Sequence, residues 1–275
     1  MSKEITKNIY DKHAQSWMRE KPNSMSDFTG RPPVFELCGD VTGKEIVDIG
    51  CGEGYCSRVL EKKGAKSLEG IDISPEMIKM AKNQNRSELS NFQVGDITQM
   101  PYENSSFDLA LGMFVYNYLD IDQMTQSFKE VYRILKPEGS FIFAVPHPAF
   151  PFIKNNLAPP FFFEFNNKGY FSARDSRNFG KISCIDKQTL PVQMVHKLFE
   201  DYISSLKKSG FTKIPIIKEL GVTKEHLSEK DEIKLLSIVK ELISNDKAQM
   251  WNNIASIRPF LESIQSAMNK LDSNI

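Results

Sequence analysis

Between residues 45 and 146 the chain alternates short, almost continuous apolar runs with longer stretches in which apolar residues recur every three or four positions. The runs "KEIVDIG", "SLEGIDI", "NFQVGDI", "FDLALGMFV" and "SFIFAV" predict five strands, apolar on both faces as in a buried parallel sheet. Between them, "YCSRVLEKKG", "SPEMIKMAKNQNRS" and "DIDQMTQSFKEVYRILKPEG" predict helices. The second helix has Ser74 as N-cap and Pro75 at its first position, and the third should be ended by Pro137 and Gly139. Strand–helix alternation of this kind implies a doubly wound α/β sheet with helices on both faces.

Outside that region the rhythm changes. The first ~20 residues predict a helix, since Ile5, Ile9, His13 and Trp17 recur at helical spacing. About fifty residues after Pro146 show no clear period and are rich in aromatics (Phe150, Phe152, Phe161, Phe162, Phe163, Phe165, Tyr170, Phe171). They are expected to form a cap, either walling an acceptor or filling their own core. "VHKLFEDYISSLKKSGF" then predicts a helix, "TKIPIIKEL" a strand and "DEIKLLSIVKELIS" another helix. In the last apolar segment Ile254, Ile257, Leu261, Ile264 and Met268 recur at helical spacing, while Pro259 suits an edge strand or a helix start. The expected domains are therefore 1–30, 31–146, 147–195 and 196–275.

Composition narrows the class. The chain has 275 residues, a formal net charge of zero and 40% hydrophobic residues. A balanced charge argues against nucleic acid as the main partner. The N-terminus lacks an apolar core followed by small residues, and the aromatic stretch is broken by prolines and charges, so neither a signal peptide nor a membrane span is expected. Cys38, Cys51, Cys56 and Cys184 show no metal-type spacing and read as reduced thiols of a cytoplasmic protein. No metal site is expected.

Candidate chemistry begins at "VDIGCGEGYCSRVL", where Gly50, Gly52 and Gly54 follow a strand and open a helix. Such a loop lets backbone approach a ligand closely, yet it carries Asp48 and Glu53. A pyrophosphate there would meet like charge, at a cost of roughly 1 kcal/mol or more. A ligand with an ammonium and a sulfonium and no phosphate would be attracted, and S-adenosylmethionine is such a ligand. Asp72, at the end of the second strand, can accept both ribose hydroxyls, and Asp96, past the third, can accept an adenine amino group. Ile73, Met77 and Ile97 would sandwich the ring. Each acid alone could simply cap a turn. Three in register with the glycines point to one crevice at the carboxyl edge of the sheet.

The series "VDIGCGEGYCSRVL", "GIDISPEMIKMAK", "VGDITQMPYENSSFDLAL" and "VYRILKPEGSFIFAV" resembles, over residues ~31–146, the successive motifs of class I S-adenosylmethionine-dependent methyltransferases, closest to the small-molecule branch. The resemblance implies a Rossmann-like, mostly parallel seven-stranded sheet with an N-terminal helical lid, and "SIRPFLESIQSA" sits where the seventh strand belongs. It implies that Asp48, Gly50, Cys51 and Gly52 face the methionine part of S-adenosylmethionine, Asp72 the ribose, and Asp96 with Ile97 the adenine. Met113 and Phe114 fall where the family packs against the methyl donor, and Tyr10, Trp17 and Arg31 where its lid closes. S-adenosylhomocysteine would be the product.

The slot after the fourth strand, "GMFVYNY", lacks the Asn/Asp-Pro-Pro-aromatic stretch of amino-group methylases. The chain also lacks a catalytic Pro-Cys motif and the Asp/Asn pair of metal-dependent catechol types, which leaves a small-molecule acceptor. Transfer to oxygen is expected, with nitrogen or carbon as alternatives, in a monomer or homodimer. His147 after the fifth strand and His196 at the next predicted helix are the candidate general bases. A nicotinamide-dependent oxidoreductase and a non-catalytic S-adenosylmethionine-binding protein are the rival readings, the first disfavoured by Asp48, Glu53 and the "GCGEG" spacing.

Overall fold

The structure, a computed structural model, describes residues 2–18, 26–27, 30–85, 87–152, 161–183 and 189–218. Five parallel strands form the centre: β1 (Glu45–Ile49), β2 (Ser67–Asp72), β3 (Ser90–Val94), β4 (Phe107–Met113) and β5 (Leu135–Ala144), in the order β3-β2-β1-β4-β5. β1 is central, with Asp48 opposite Gly70 of β2 and Leu111 of β4. Its apolar run has no polar face because both faces are covered. Val47 and Ile49 join one core with Met124, Phe128 and Val131, and Ile46 joins another with Leu60, Leu68 and Val34.

Among the described residues six α-helices accompany the strands: α1 (Ser2–His13), α2 (Arg31–Leu37), α3 (Tyr55–Lys62), α4 (Pro75–Gln84), α5 (Ile121–Ile134) and α6 (Phe199–Lys208). As the sequence predicts, Ser74 caps α4, its Oγ accepting the Met77 N–H at 3.1 Å. Asp120 caps α5 with a reciprocal Gln123 contact. The expected stop of α5 at Pro137 and Gly139 is corrected: α5 ends at Ile134 and passes directly into β5. Both residues lie inside that strand, next to an irregular register between Phe107 and Leu109. Gly139 is needed there, since a Cβ would lie 2.9 Å from the Lys136 carbonyl.

The stretch after β5 departs most from expectation. Within the aperiodic residues lies a three-stranded antiparallel sheet, β6 (Phe161–Phe163), β7 (Arg177–Ser183) and β8 (Thr189–Val195), in that order. β8 shows no alternation because nearly all its residues are buried, so the period-two signal is absent. The helix expected to begin near Val195 starts at Phe199, and His196 lies in the turn that leads to it.

The expected strand over 212–220 is not formed in its described part. Residues 212–218 belong to no strand, and Ile214 and Ile216 are 93% and 91% exposed. The helix expected over 231–244 and the strand expected over 257–267 lie outside the described residues, as does Cys184. Cys38, Cys51 and Cys56 are buried thiols outside any disulfide. Among the described residues no helix is long and apolar enough to cross a membrane, and no cluster of potential metal ligands occurs.

Candidate cofactor site

The glycine loop turns only because its glycines take left-handed backbone. Gly50 has φ +67°, and a Cβ on it would lie 2.4 Å from Val115 Cγ2. The Gly50 and Cys51 N–H groups both donate to the Ile71 carbonyl, at 2.8 and 3.1 Å, which pins the loop to β2. The Gly52 N–H donates to Asp72 Oδ2 at 2.9 Å, and the Ser74 N–H to Asp72 Oδ1 at 2.9 Å. Asp72 therefore organises both the glycine loop and the start of α4.

A cavity of about 150 Å³ opens where these elements meet. Asp48, Gly50, Cys51, Gly52, Asp72, Ile73, Met77, Asp96, Ile97, Met113 and Phe114 all line it. Because the sheet order is β3-β2-β1-β4, the cavity runs from Asp96 past β3, across Asp72 and Asp48, to the residues that follow β4. Lys3, Thr6 and Tyr10 of α1 line it as well, spaced to share one helix face. Seven residues of helix cover about 10 Å, so α1 follows the cavity rather than touching it at a point.

Electrostatics differ along this axis. Burial pushes the Asp48 carboxyl up to about 6, against a 2.7 Å hydrogen bond from Ser57 Oγ. Burial also raises Asp72, opposed by the amides of Ser74 and Gly52. At Asp96 burial works against the charge, but hydrogen bonds from Lys3 and Thr98 outweigh it and hold the carboxyl below its usual range. Glu53, which the sequence groups with Asp48 against phosphate, is answered by Arg58 at 2.5 Å. Arg31 pairs with Asp27 at 2.5 Å and lies 5.6 and 5.7 Å from the ring centroids of Tyr55 and Phe114. The uncompensated charge on the wall thus comes from Asp48 and Asp72, which suits a cationic ligand.

Tyr10, Trp17 and Arg31 also line the cavity. The two histidines do not. His147 is exposed past β5, and its Nδ1 accepts the Ala149 N–H of its own turn at 3.2 Å. His196 is fully buried among the rings of Phe152, Phe165 and Tyr170, with Nε2 2.8 Å from the Tyr170 carbonyl. Burial lowers its pKa. Phe152, Phe165 and Tyr170 fill the inserted sheet's own interior rather than the cavity wall.

Sequence reasoning missed Lys3, Thr6, Val115, Tyr118, Leu119 and Gln123. The three-to-four spacing of Lys3, Thr6 and Tyr10 was the available signal for α1. The turn after β4 is read for Met113, Phe114 and the motif it lacks, and nothing in it marks Val115, Tyr118, Leu119 or Gln123 as wall residues.

A family model described as a methyltransferase domain matches residues 47–143. An uncharacterized protein of Methanocaldococcus jannaschii is 30% identical over 207 residues, 74% of this chain and 75% of that protein. A demethylmenaquinone methyltransferase of Lactobacillus johnsonii is 32% identical over 132 residues, which is 45% of this chain and 53% of that enzyme. The chain thus spans about half the length of that enzyme. The crystal structure of an S-adenosylmethionine-dependent methyltransferase from Mesorhizobium loti shares the fold with a TM-score of 0.56 at 21% identity, covering 77% of this chain and 91% of that one.

Proposed function

The chain belongs to the class I S-adenosylmethionine-dependent methyltransferases, and from that premise we propose that it methylates a small-molecule acceptor at oxygen. The observation that supports the cofactor half is the series of acids, Asp48, Asp72 and Asp96, on one cavity wall in strand order. The small-molecule part of the acceptor half draws on the match to a demethylmenaquinone methyltransferase and on the missing motifs of nucleic-acid methylases; that match does not bear on the choice of oxygen.

In this reading Asp72 takes the ribose hydroxyls. Asp96 takes the adenine amino group, with Ile73, Met77 and Ile97 around the ring. Gly50, Cys51 and Gly52 give the methionine part room, and Asp48 answers its ammonium. Met113 and Phe114 bound the methyl donor. When bound, the cofactor supplies a sulfonium-activated methyl group, so the chain's own work is to align the acceptor in line with it and to exclude water. α1 serves as the lid over the cavity, and the inserted sheet supports it through Gln193, whose Nε2 donates to Thr6 Oγ1.

A base is needed only for an acceptor that keeps its proton near neutral pH. We place that role at His147, carried in by a movement of the turn after β5, and we assign His196 to the inserted sheet's interior. His147→Gln should lower turnover about 10²–10⁴-fold with S-adenosylhomocysteine binding intact. Near-normal turnover of the variant at saturating acceptor removes His147 from the mechanism. Calorimetry with S-adenosylmethionine, S-adenosylhomocysteine and NAD tests the cofactor half. Preference for NAD overturns it.

A further inference from the structure

The two ends of the cavity differ in charge. At the β1–β3 end, Lys3 is paired with Asp96 and Glu53 with Arg58, leaving Asp48 and Asp72 as carboxylates whose hydrogen bonds come from a hydroxyl and backbone amides; Arg31, beside Phe114 just past β4, is paired with Asp27. Past β4 the wall consists of Val115, Tyr118, Leu119 and Gln123, with no charged side chain among them. Tyr10 of α1 meets this end. Its hydroxyl and that of Tyr118 are hydrogen-bonded to each other, and the two rings are edge-on, 5.6 Å apart at 89°. The Trp17 ring also meets Tyr10, with centroids 5.4 Å apart and planes tilted by 38°.

We propose that the Tyr10–Tyr118 pair is the acceptor-recognition element and that it selects an uncharged aromatic-ring acceptor bearing a hydroxyl group. This rests on the methyltransferase reading above. An anionic acceptor would meet the field of Asp48 and Asp72 with no spare cation on the wall, since both lining cations are already neutralised. A cationic acceptor would face the sulfonium itself, and a protonated amine has no lone pair to give. A neutral ring fits both constraints. It can join the aromatic cluster of Trp17, Tyr10 and Tyr118, in which the Tyr10–Tyr118 pair already has the edge-to-face geometry that aromatic rings favour. Either phenol can donate to or accept from the ring's hydroxyl by rotating its own O–H. That exchange opens the Tyr10–Tyr118 bond and substitutes the acceptor for one partner. Tyr118 is thereby a specificity residue, and Tyr10 couples acceptor binding to the seating of α1.

The probes are 2-naphthol and 2-naphthoate, which share a ring system and differ in charge at pH 7. Calorimetry on the full chain saturated with S-adenosylhomocysteine should show 2-naphthol binding at least ~10-fold more tightly than 2-naphthoate. Tyr118→Phe, which keeps the ring, should weaken 2-naphthol about threefold to tenfold. It should leave the weak binding of 2-naphthoate and the dissociation constant of S-adenosylhomocysteine unchanged. Equal affinity for the two probes, binding of neither, or a Tyr118→Phe variant that holds 2-naphthol as the wild type does, each overturns the proposal. Failure of the wild type to bind S-adenosylhomocysteine is a separate result. It removes the methyltransferase reading, and this proposal with it.

Discussion

The molecule contains two sheets that make opposite use of burial. The parallel sheet buries both faces of β1, β2 and β4 and brings its chemistry to one edge, where backbone groups left over at the strand ends meet Asp48, Asp72 and Asp96. The antiparallel sheet of β6, β7 and β8 contributes no side chain to the cavity, although β8 is almost wholly buried. It acts at one remove. Gln193 holds Thr6 of α1, and the Lys197 amine, just past β8, donates to the Leu119 and Val195 carbonyls at 2.5 and 2.9 Å. The cavity wall is therefore built by the parallel sheet and α1, while the second sheet anchors Thr6 and the backbone of Leu119 at its margin.

The largest expected effect breaks the parallel-sheet side. On the proposed ribose assignment Asp72→Ala removes two charge-assisted bonds, each worth about 1.5–3 kcal/mol, and it also frees the Gly52 and Ser74 amides. S-adenosylhomocysteine affinity should fall at least ~10-fold in a folded protein. An unchanged dissociation constant by calorimetry would return the site to some other group.

The next tests the junction. Burial pulls the Lys197 pKa down from 10.5 to about 7. Below pH ~7 the folded and unfolded chains both hold this proton, and between about 7 and 10.5 only the unfolded chain does. Stability should therefore rise with pH across that window, by at most about 1.4 kcal/mol per pH unit from this group. Urea denaturation at pH 7 and 9 should show the rise in the wild type and its loss in Lys197→Met. An identical slope in both proteins would mean that Lys197 is not held uncharged at the junction.

The smallest concerns Asp48, whose carboxyl is raised from 3.8 to about 6 by burial. Between those values the folded chain holds a proton that the unfolded chain has lost, so this group's contribution to stability falls as pH rises through the window. Binding has the opposite sign, because the cofactor's ammonium needs the carboxylate. Affinity for S-adenosylmethionine should drop about tenfold from pH 7 to 5, and Asp48→Asn should flatten that dependence. A wild-type affinity independent of pH would place the ammonium elsewhere.

The sequence by itself determined the parallel sheet and the cofactor wall. Runs such as "EIVDI" can be satisfied only between two covered faces, and left-handed backbone at Gly50, Gly52 and Gly54 is legible from residue type. All eleven residues expected to bind the cofactor line one cavity because strand ends in such a sheet have one place to converge. What lay beyond the sequence depended on partners distant along the chain. β8 carries no period because both its faces find cover, and Glu53 loses its bearing on phosphate because Arg58 turns back to it. His147 follows β5 and His196 follows β8, yet one binds its own turn and the other is walled in by Phe152, Phe165 and Tyr170. The meeting of Tyr10 with Tyr118, 108 residues apart, was decided only when α1 lay down along the carboxyl edge. Local spacing fixes which face of a helix is apolar, but only packing fixes what that face is laid against.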